Sequence, residues 1–557
     1  MSTVSSPLHE GSHAAICIAE LSRRHESFHS SSKDDRISLA KSVLKALKSS
    51  NWDTAGDWVD ECMRTQKLSP KDDVYGQLSA MEVLLLGSVT HNFLTTFIDS
   101  KSVSFLPKMT DSYTVYGPKP IGPSTSGTFE MHANQTEYES VDTTAYSECC
   151  QQGSVSLVLG AGNQTFLTMI DVLDRIFLHS ECVLIKHHPL RPYLMKPFQK
   201  ILRALIEDDV LRMVVDESND VTAELIQHPS IQHVHLTGST QTYNKVTELV
   251  KAATKSKTCG ITAELGCATP WIVVPGPWSD NELENAAKLL VGSKKANGGC
   301  NCLSPQVVVV PPKRVFNTEL FNTDYFCALI EKELRTQATV PCYYPGSTKR
   351  KQDFCAVYTE SKTISSDKYT TNATSGDDIS VIYLKSDDKN LYCIENEVFG
   401  SLLVIVEMES DIADLPSYLD DVVKFVNSKV YGTLSCTVLS SKDTDSRLID
   451  KMVANLNYGM IAVNNWTGLG YTTAGLGGTW GPHPCDTGEQ SGRGRVGNIL
   501  ELHGIIKTVL RSTLDKITIG TGKLPPKWLL RIIIVLSFKN TGFFDTLMKI
   551  LGILMGF

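Results

Sequence analysis

Several features that would define a class of protein are missing from this sequence of 557 residues. No apolar run reaches the roughly 18 residues expected of a membrane-spanning helix. The first residues lack a basic flank followed by an apolar stretch, which disfavours a secretion signal. The net charge of -8 gives no general attraction to nucleic acid or to an anionic membrane. These absences favour a globular protein of the cytosol without a nucleic acid partner.

The cysteines also lack a recognisable framework. There are 15 of them, without the regular spacing of a disulfide scaffold and without paired C-x-x-C knuckles. We therefore expect reduced thiols in a cytosol-like compartment and no metal site. Cys300 and Cys302 stand one residue apart in the stretch NGGCNCLSPQ. At this point a metal chelate, a disulfide pair and the seat of a nucleophile are all open interpretations.

What is present is the alternating pattern of an α/β protein. Helical spacing of apolar residues occurs over residues 34–47 and 75–98, whereas residues 101–154 are rich in Ser, Thr, Gly and Pro. Further along, β-branched runs such as SVSLVLG and CVLIKHHP alternate with helical segments, which indicates a parallel sheet with crossover helices. The runs WIVVPG, PQVVVVPPK and GSLLVIVEM predict a second α/β region, and a loop-rich insert occupies residues 341–390.

The end of the sequence differs from the rest. After a Pro-Pro break, residues 525–557 are strongly apolar and carry four basic residues against one acid. One explanation is a helix pair that covers an apolar face of the protein or of an oligomer. The other is an interfacial anchor that contacts a membrane. We treat residues 514–557 as a separate apolar tail and leave both explanations open.

The stretch LVLGAGNQTFL, residues 157–167, begins like a dinucleotide fingerprint, but Thr165 stands where the third glycine is required. Alone, it is better explained by an ordinary strand-to-helix turn. Five more segments follow it in order: HLTGST, AELGCATPWIVV, NGGCNCLSPQVVVV, NEVFGSLLVI and GEQSGRGRVG. Together these segments resemble the aldehyde dehydrogenase superfamily across roughly residues 34–509.

The resemblance implies an α/β fold with a Rossmann-type nucleotide-binding domain, an α/β catalytic domain and a small β arm for oligomerisation. The implied ranges are 1–261 for the N-terminal helices and nucleotide-binding domain with the arm at 101–153, 262–468 for the catalytic domain, and 469–513 for the return to the nucleotide-binding domain and the oligomerisation strand. Residues 499–510 resemble the strand that joins subunits, and we expect them to pair with the arm. A homodimer or tetramer is implied.

The resemblance also implies oxidation of an aldehyde to a carboxylic acid. A thiolate adds to the aldehyde, the adduct gives up hydride to a nicotinamide, and the resulting thioester is hydrolysed. By resemblance Cys302 is the nucleophile, and Cys300 occupies the place of a family glutamine. Asn163, with the backbone N-H of Cys302, would hold the oxyanion. Glu264 would activate water, whereas relatives that pass the acyl group to coenzyme A typically lack this glutamate.

For the cofactor, the resemblance implies a site for NAD or NADP. The matching residues are Lys186, Gly238, Ser239, Glu397 and Phe399. Pro189, followed by Arg191, stands where NAD-selective members carry a glutamate, so the repulsion of a 2′-phosphate is missing and NADP is allowed.

Two further points remain open at this level. If the tail meets a membrane, an apolar, longer-chain aldehyde is the natural substrate. A competing hypothesis is a repurposed scaffold that binds nucleotide or partners without turnover. It is motivated by departures from the family pattern at Gly162, Thr165, Cys267, Cys300 and Val307.

Overall fold

The structure is a computed structural model. It describes residues 12–49, 56–72, 74–100, 107–109, 114–120, 127–133, 154–215, 219–253, 259–312, 321–408 and 414–514. The predicted apolar tail, apart from Leu514, and most of the predicted arm at 101–153 lie outside these residues.

The helices alternate with strands from residue 154 onward, as the pattern of apolar runs predicts. The α-helices of the described residues are α1 His13–His29, α2 Lys33–Ser49, α3 Gly56–Thr65, α4 Tyr75–Ile98, α5 Leu167–Phe177, α6 Met195–Ile201, α7 Arg203–Glu207, α8 Asn219–Gln227, α9 Thr240–Ala253, α10 Asp280–Lys295, α11 Thr323–Thr336, α12 Ser347–Val357, α13 Tyr392–Glu395, α14 Leu415–Lys429, α15 Ser446–Asn455 and α16 Gly470–Ala474. The helical stretches predicted at 34–47 and 75–98 are confirmed as α2 and α4.

Within the described residues, the strands form two large sheets and one two-stranded ribbon. They are β1 Pro107–Met109, β2 Thr114–Pro120, β3 Thr128–Ala133, β4 Val155–Leu159, β5 Cys182–His187, β6 Leu211–Val215, β7 Ile231–Thr237, β8 Gly260–Glu264, β9 Pro270–Val273, β10 Val307–Val310, β11 Lys362–Ile364, β12 Ile379–Lys385, β13 Leu402–Glu407, β14 Ser435–Leu439, β15 Met460–Val463, β16 Thr479–Trp480, β17 Gly492–Arg493, β18 Val496–Gly497 and β19 Ile505–Arg511.

The first sheet has six strands in the order β17-β8-β7-β4-β5-β6, parallel except for β17. The chain starts at β4, moves to β5 and β6 on one side, and then returns to β7 and β8 on the other. The direction of winding therefore reverses between β4 and β7. Ligands of open α/β sheets bind at such a switch point, outside the carboxyl ends of the strands.

The second sheet has eleven strands in the order β1-β2-β3-β19-β15-β14-β9-β10-β13-β12-β11. Its middle, from β19 to β12, is parallel, and both margins are antiparallel. The expected pairing of the strand within 499–510 with the arm is present, because β19 pairs with β3. The domain limits stay a prediction, and β8 continues across the limit drawn after residue 261.

Helix α4 is the one described helix that is long and apolar enough to cross a membrane by length and composition, over Met81–Ile98. Half of that window is buried inside the protein. Phe97 stacks against Phe177 of α5 with ring centroids 5.2 Å apart, so α4 packs on the first sheet's crossover helix. Burial of this kind is typical of a core helix.

Candidate active site

The loop that carries both cysteines begins where α10 ends, and its shape explains the two glycines. Asn297, Gly298 and Gly299 all have positive φ values, of 57°, 64° and 76°. A Cβ on Gly298 would overlap the carbonyl oxygen of Pro341, and one on Gly299 would overlap that of Gly400. Both the left-handed backbone and the close approach of neighbouring chains therefore require glycine.

At the end of this loop, Cys302 faces Glu264, the last residue of β8. The Cys302 Sγ donates to Glu264 Oε1 across 3.2 Å. Burial and, to a smaller extent, the buried carboxylate of Asp171 together raise the pKa of Glu264 to about 7. Burial and the Glu264 carboxylate also raise the pKa of the Cys302 thiol well above its usual value. Glu264 is thus placed to accept a proton from Cys302 near neutral pH.

Asn163 lies in the turn after β4 and joins this turn to the cysteine loop. Its Nδ2 donates to the carbonyl oxygen of Cys300 at 3.2 Å. Its own carbonyl oxygen accepts from Asn297 Nδ2 at 3.0 Å and from the Tyr343 hydroxyl at 3.0 Å. The residues that the sequence assigns to the nucleophile and to the oxyanion are therefore on contacting loops, with Glu264 beside them.

Arg191 holds the same turn through hydrogen bonds to two of its carbonyl oxygens. Its side chain is completely buried, and it donates from Nε to Gly162 O at 3.0 Å and from Nη2 to Asn163 O at 2.7 Å. Arg191 follows Pro189 in the region that governs cofactor choice, but its guanidinium is used by the turn. The cation is balanced in part by the buried carboxylate of Glu82.

Two departures from the family pattern gain a physical reason from this turn. A Cβ on Gly162 would lie 2.6 Å from Cε1 of His188, so a larger residue here requires that imidazole to move. The hydroxyl of Thr165 donates to the buried carboxylate of Glu82. An unpaired buried carboxylate is costly, so Thr165 stabilises the charge pattern under the turn.

Two predicted cofactor groups lie at the carboxyl edge of the six-stranded sheet, beside the switch point between β4 and β7. Lys186 is near the end of β5, and its carbonyl oxygen accepts from Gly160 N-H at 3.0 Å. Gly238 and Ser239 connect β7 to α9. Ser239 Oγ accepts from Thr242 N-H at 3.2 Å and caps the helix.

Glu397 and Phe399 lie between α13 and β13 and so belong to the second sheet's part of the site. Glu397 Oε1 accepts from Cys267 N-H at 3.3 Å, and burial raises the pKa of Glu397 to about 7. A Cβ on Gly266 would overlap the Glu397 carboxylate, so this glycine leaves the space that the carboxylate occupies. Phe399 packs edge-to-face on Tyr344, with ring centroids 5.1 Å apart.

The motifs missed three consecutive residues of the site, Cys342, Tyr343 and Tyr344, which open the insert at 341–390. Cys342 Sγ lies 3.8 Å from Cys300 Sγ, and Tyr343 holds Asn163. Tyr344 packs near His188 as well as on Phe399. Their only signal in the sequence is a pair of adjacent tyrosines after Cys342.

Comparisons with known proteins identify the family of this chain. Residues 163–492 match the model of the aldehyde dehydrogenase family. The chain belongs to that family. AldX of Bacillus subtilis (strain 168) is 23% identical over 56% of this chain and 65% of its own length. The 3-succinoylsemialdehyde-pyridine dehydrogenase of a Pseudomonas species is 24% identical over 53% of this chain. The chain thus matches less than two thirds of the length of these relatives, 65% and 61%.

Solved structures share the fold at low sequence identity. A succinic semialdehyde dehydrogenase from Streptococcus pyogenes in complex with NADP+ has a TM-score of 0.61 at 16% identity, covering 91% of this chain and 95% of that one. A mutant of aldehyde dehydrogenase C from Pseudomonas syringae, with NAD+ and octanal, has a TM-score of 0.60 at 16% identity, covering 91% and 89%. The predicted family and the predicted α/β fold are confirmed.

Proposed function

We propose that this protein oxidises an aldehyde to its carboxylic acid, with NAD or NADP as the hydride acceptor. The observation that carries the proposal is the 3.2 Å contact between Cys302 Sγ and Glu264 Oε1. A thiol that donates to a carboxylate of pKa about 7 has a general base within hydrogen-bond reach to take its proton when the aldehyde is attacked. Family membership supports the reaction class.

The chemistry follows from the positions of these side chains. Glu264 takes the proton of Cys302, and the thiolate adds to the aldehyde carbon. Nδ2 of Asn163 and the N-H of Cys302 donate to the resulting oxyanion. When bound, the nicotinamide supplies the acceptor for the hydride that leaves this carbon. Glu264 releases the proton of Cys302 to solvent and then takes a proton from water as that water attacks the thioester. The C–S bond breaks, the acid leaves, and the Cys302 thiolate takes the proton back from Glu264.

The residues around the switch point fit a dinucleotide. The N-terminus of α9, a helix of 14 residues that begins after Gly238 and Ser239, is suited to a pyrophosphate. Lys186 and the Glu397 carboxylate are suited to the two ribose groups, and Phe399 to the nicotinamide side. Pro189 stands in place of an acid, so the usual repulsion of a 2′-phosphate is missing at that position. Arg191 donates to Asn163 O and is therefore engaged by the turn.

The assembly and location are also proposals. The six-stranded sheet would belong to the nucleotide-binding domain, 1–261 completed by 469–513, and most of the eleven-stranded sheet to the catalytic domain, 262–468. We expect a homodimer or tetramer in the cytosol. The tail at 514–557 would cover an apolar face or bring the enzyme to a membrane, in which case an apolar aldehyde is the preferred substrate.

A single assay tests the proposal. The purified protein is mixed with a panel of short, long and carboxylated aldehydes and with each nicotinamide cofactor, and formation of reduced cofactor is followed. Turnover that disappears in Cys302→Ala is the expected result. No turnover with any aldehyde, in a protein that still binds either cofactor, would favour the scaffold hypothesis instead.

A further inference from the structure

Cys300 has a sulfur partner, and that partner is not its neighbour in sequence. Its Sγ lies 3.8 Å from Cys342 Sγ, across a distance of 42 residues along the chain. Cys302 turns the other way and contacts Glu264. The stretch NGGCNCLSPQ therefore carries two thiols that belong to two different sites.

The two backbones around this pair are held closely together. Gly298 packs directly on the carbonyl of Pro341 and on the Cα of Cys342. Cys342 N-H donates to Asp377 Oδ1 at 2.8 Å, which fixes the segment from its other side. The thiols are consequently held face to face by packing, and their approach does not depend on an exposed, freely moving loop.

The surroundings distinguish the two thiols chemically. The hydrogen bond between the two thiols lowers the pKa of Cys342, whereas the same bond and burial raise the pKa of Cys300. Burial lowers the pKa of the neighbouring Lys294 to about 7, and the negative charge of a thiolate at Cys342 favours its ammonium form. Cys342 keeps 7% of its surface exposed and Cys300 none. Cys342 is thus the thiol that a small oxidant can reach and that reacts as a thiolate.

We propose that Cys300 and Cys342 are a peroxide-sensitive dithiol whose oxidation to a disulfide reversibly slows the chemistry at Cys302. The first oxidant is hydrogen peroxide or a peroxide of similar size. The disulfide itself does not depend on the proposed function, whereas its effect on turnover rests on it.

The reaction balances with peroxide as the only co-reactant. The Cys342 thiolate attacks one oxygen of hydrogen peroxide, the O–O bond breaks, and a sulfenic acid forms while the second oxygen leaves as water with the thiol proton. The Cys300 sulfur then attacks the sulfenic sulfur. The S–S bond forms, the S–OH bond breaks, and hydroxide leaves as water with the proton of Cys300. Two thiols and one peroxide give one disulfide and two waters.

The effect on the active site follows from the hydrogen bonds of Cys300. A disulfide bond is about 2 Å long, so the sulfurs must approach each other by nearly 2 Å. The carbonyl oxygen of Cys300 accepts from both Asn163 Nδ2 and Asn297 Nδ2, at 3.2 and 3.1 Å. Movement of Cys300 therefore shifts the proposed oxyanion donor and the nucleophile two residues further on. A displacement of about 1 Å in such a site costs up to about a hundredfold in rate, and we expect at least about tenfold.

The bond is tested by mass spectrometry on the full chain. Cys302→Ala is reduced, freed of reductant, treated with hydrogen peroxide, blocked with iodoacetamide and digested with trypsin without reduction. Trypsin separates the peptide of Cys300 from that of Cys342, so the expected product is one cross-linked pair, absent after dithiothreitol. Cys355→Ser, which changes another cysteine of the same segment, should still form it, and Cys342→Ser and Cys342→Ala should not.

The activity arm uses the protein with Cys302 in place. Peroxide should lower turnover about tenfold, and dithiothreitol should restore it, whereas Cys342→Ser should lose this reversible component. A cross-link between Cys300 and Cys302, or no cross-link at peroxide levels that oxidise other cysteines of the chain, would overturn the proposal. If the protein shows no aldehyde oxidation at all, the cross-link in Cys302→Ala still decides whether the dithiol exists.

Discussion

The two ends of one short loop, at Cys300 and at Cys302, have opposite surroundings. Cys302 faces a carboxylate on the six-stranded sheet, and Cys300 faces a second thiol and the carbonyl oxygen of Phe399 at 3.9 Å. Both residues carry the same chemical group, a thiol. The partner that the fold brings to each sulfur decides whether it can be activated by a base or oxidised with a neighbour.

Exchange of each cysteine for alanine gives the largest predicted contrast. Cys302→Ala should lose turnover by about 10⁴-fold or more, because no other group can form the covalent adduct. Cys300→Ala should keep much of the activity, since the carbonyl that holds Asn163 remains. Steady-state kcat with reduced cofactor as the readout measures both. The reverse outcome would mean that the motif is aligned one cysteine too far along the chain.

Removal of the base on the Cys302 side comes next in size. Glu264→Gln should lower kcat by about 10²- to 10⁴-fold, because neither the thiol nor the attacking water has an acceptor for its proton. The acyl group should accumulate on Cys302, which intact-protein mass spectrometry detects after quenching. Glu331→Gln on α11 is the matched control. Full activity in Glu264→Gln would exclude its role as base.

Sequence motifs indicate the residues around Cys302 but not those around Cys300, and the reason is physical. Glu264, Cys302 and Asn163 lie next to strand ends, where local patterns of glycine and β-branched residues define the register. Cys342 and Tyr343 act through contacts with residues 42 and 180 positions away. No local pattern encodes such contacts. Arg191 similarly looks like a loop residue beside Pro189 until burial is known.

The pH dependence of the reaction tests the electrostatics behind Glu264. Asp171 is the charged neighbour that raises the pKa of Glu264. It accepts at Oδ2 from the Thr237 hydroxyl at 3.4 Å, and Thr237 lies opposite Glu264 in the pairing of β7 with β8. Below pH 7 Glu264 takes up a proton and cannot act as a base, so kcat/KM should rise with pH through about 7.

Asp171→Asn removes a negative charge that disfavours ionised Glu264. The rise in kcat/KM should therefore move to lower pH. When each profile is scaled to its own plateau, kcat/KM below pH 7 should be about tenfold higher in Asp171→Asn than in wild type. An unchanged profile would show that burial alone sets this pKa.

The smallest predicted effect concerns the hydroxyl of Tyr343, which connects the insert to the turn at Asn163. Tyr343→Phe removes its hydrogen bond to Asn163 O and its contact with Arg191 Nη2, at 3.0 and 3.1 Å, but keeps the ring. One neutral hydrogen bond contributes about 1 kcal/mol, so kcat should fall about threefold to fivefold with little change in KM. Tyr344→Phe is the matched control, because Tyr344 meets Phe399 through its ring. Full activity in Tyr343→Phe would mean that Tyr343 supports the site through its ring and that Arg191 holds the Asn163 turn without the hydroxyl.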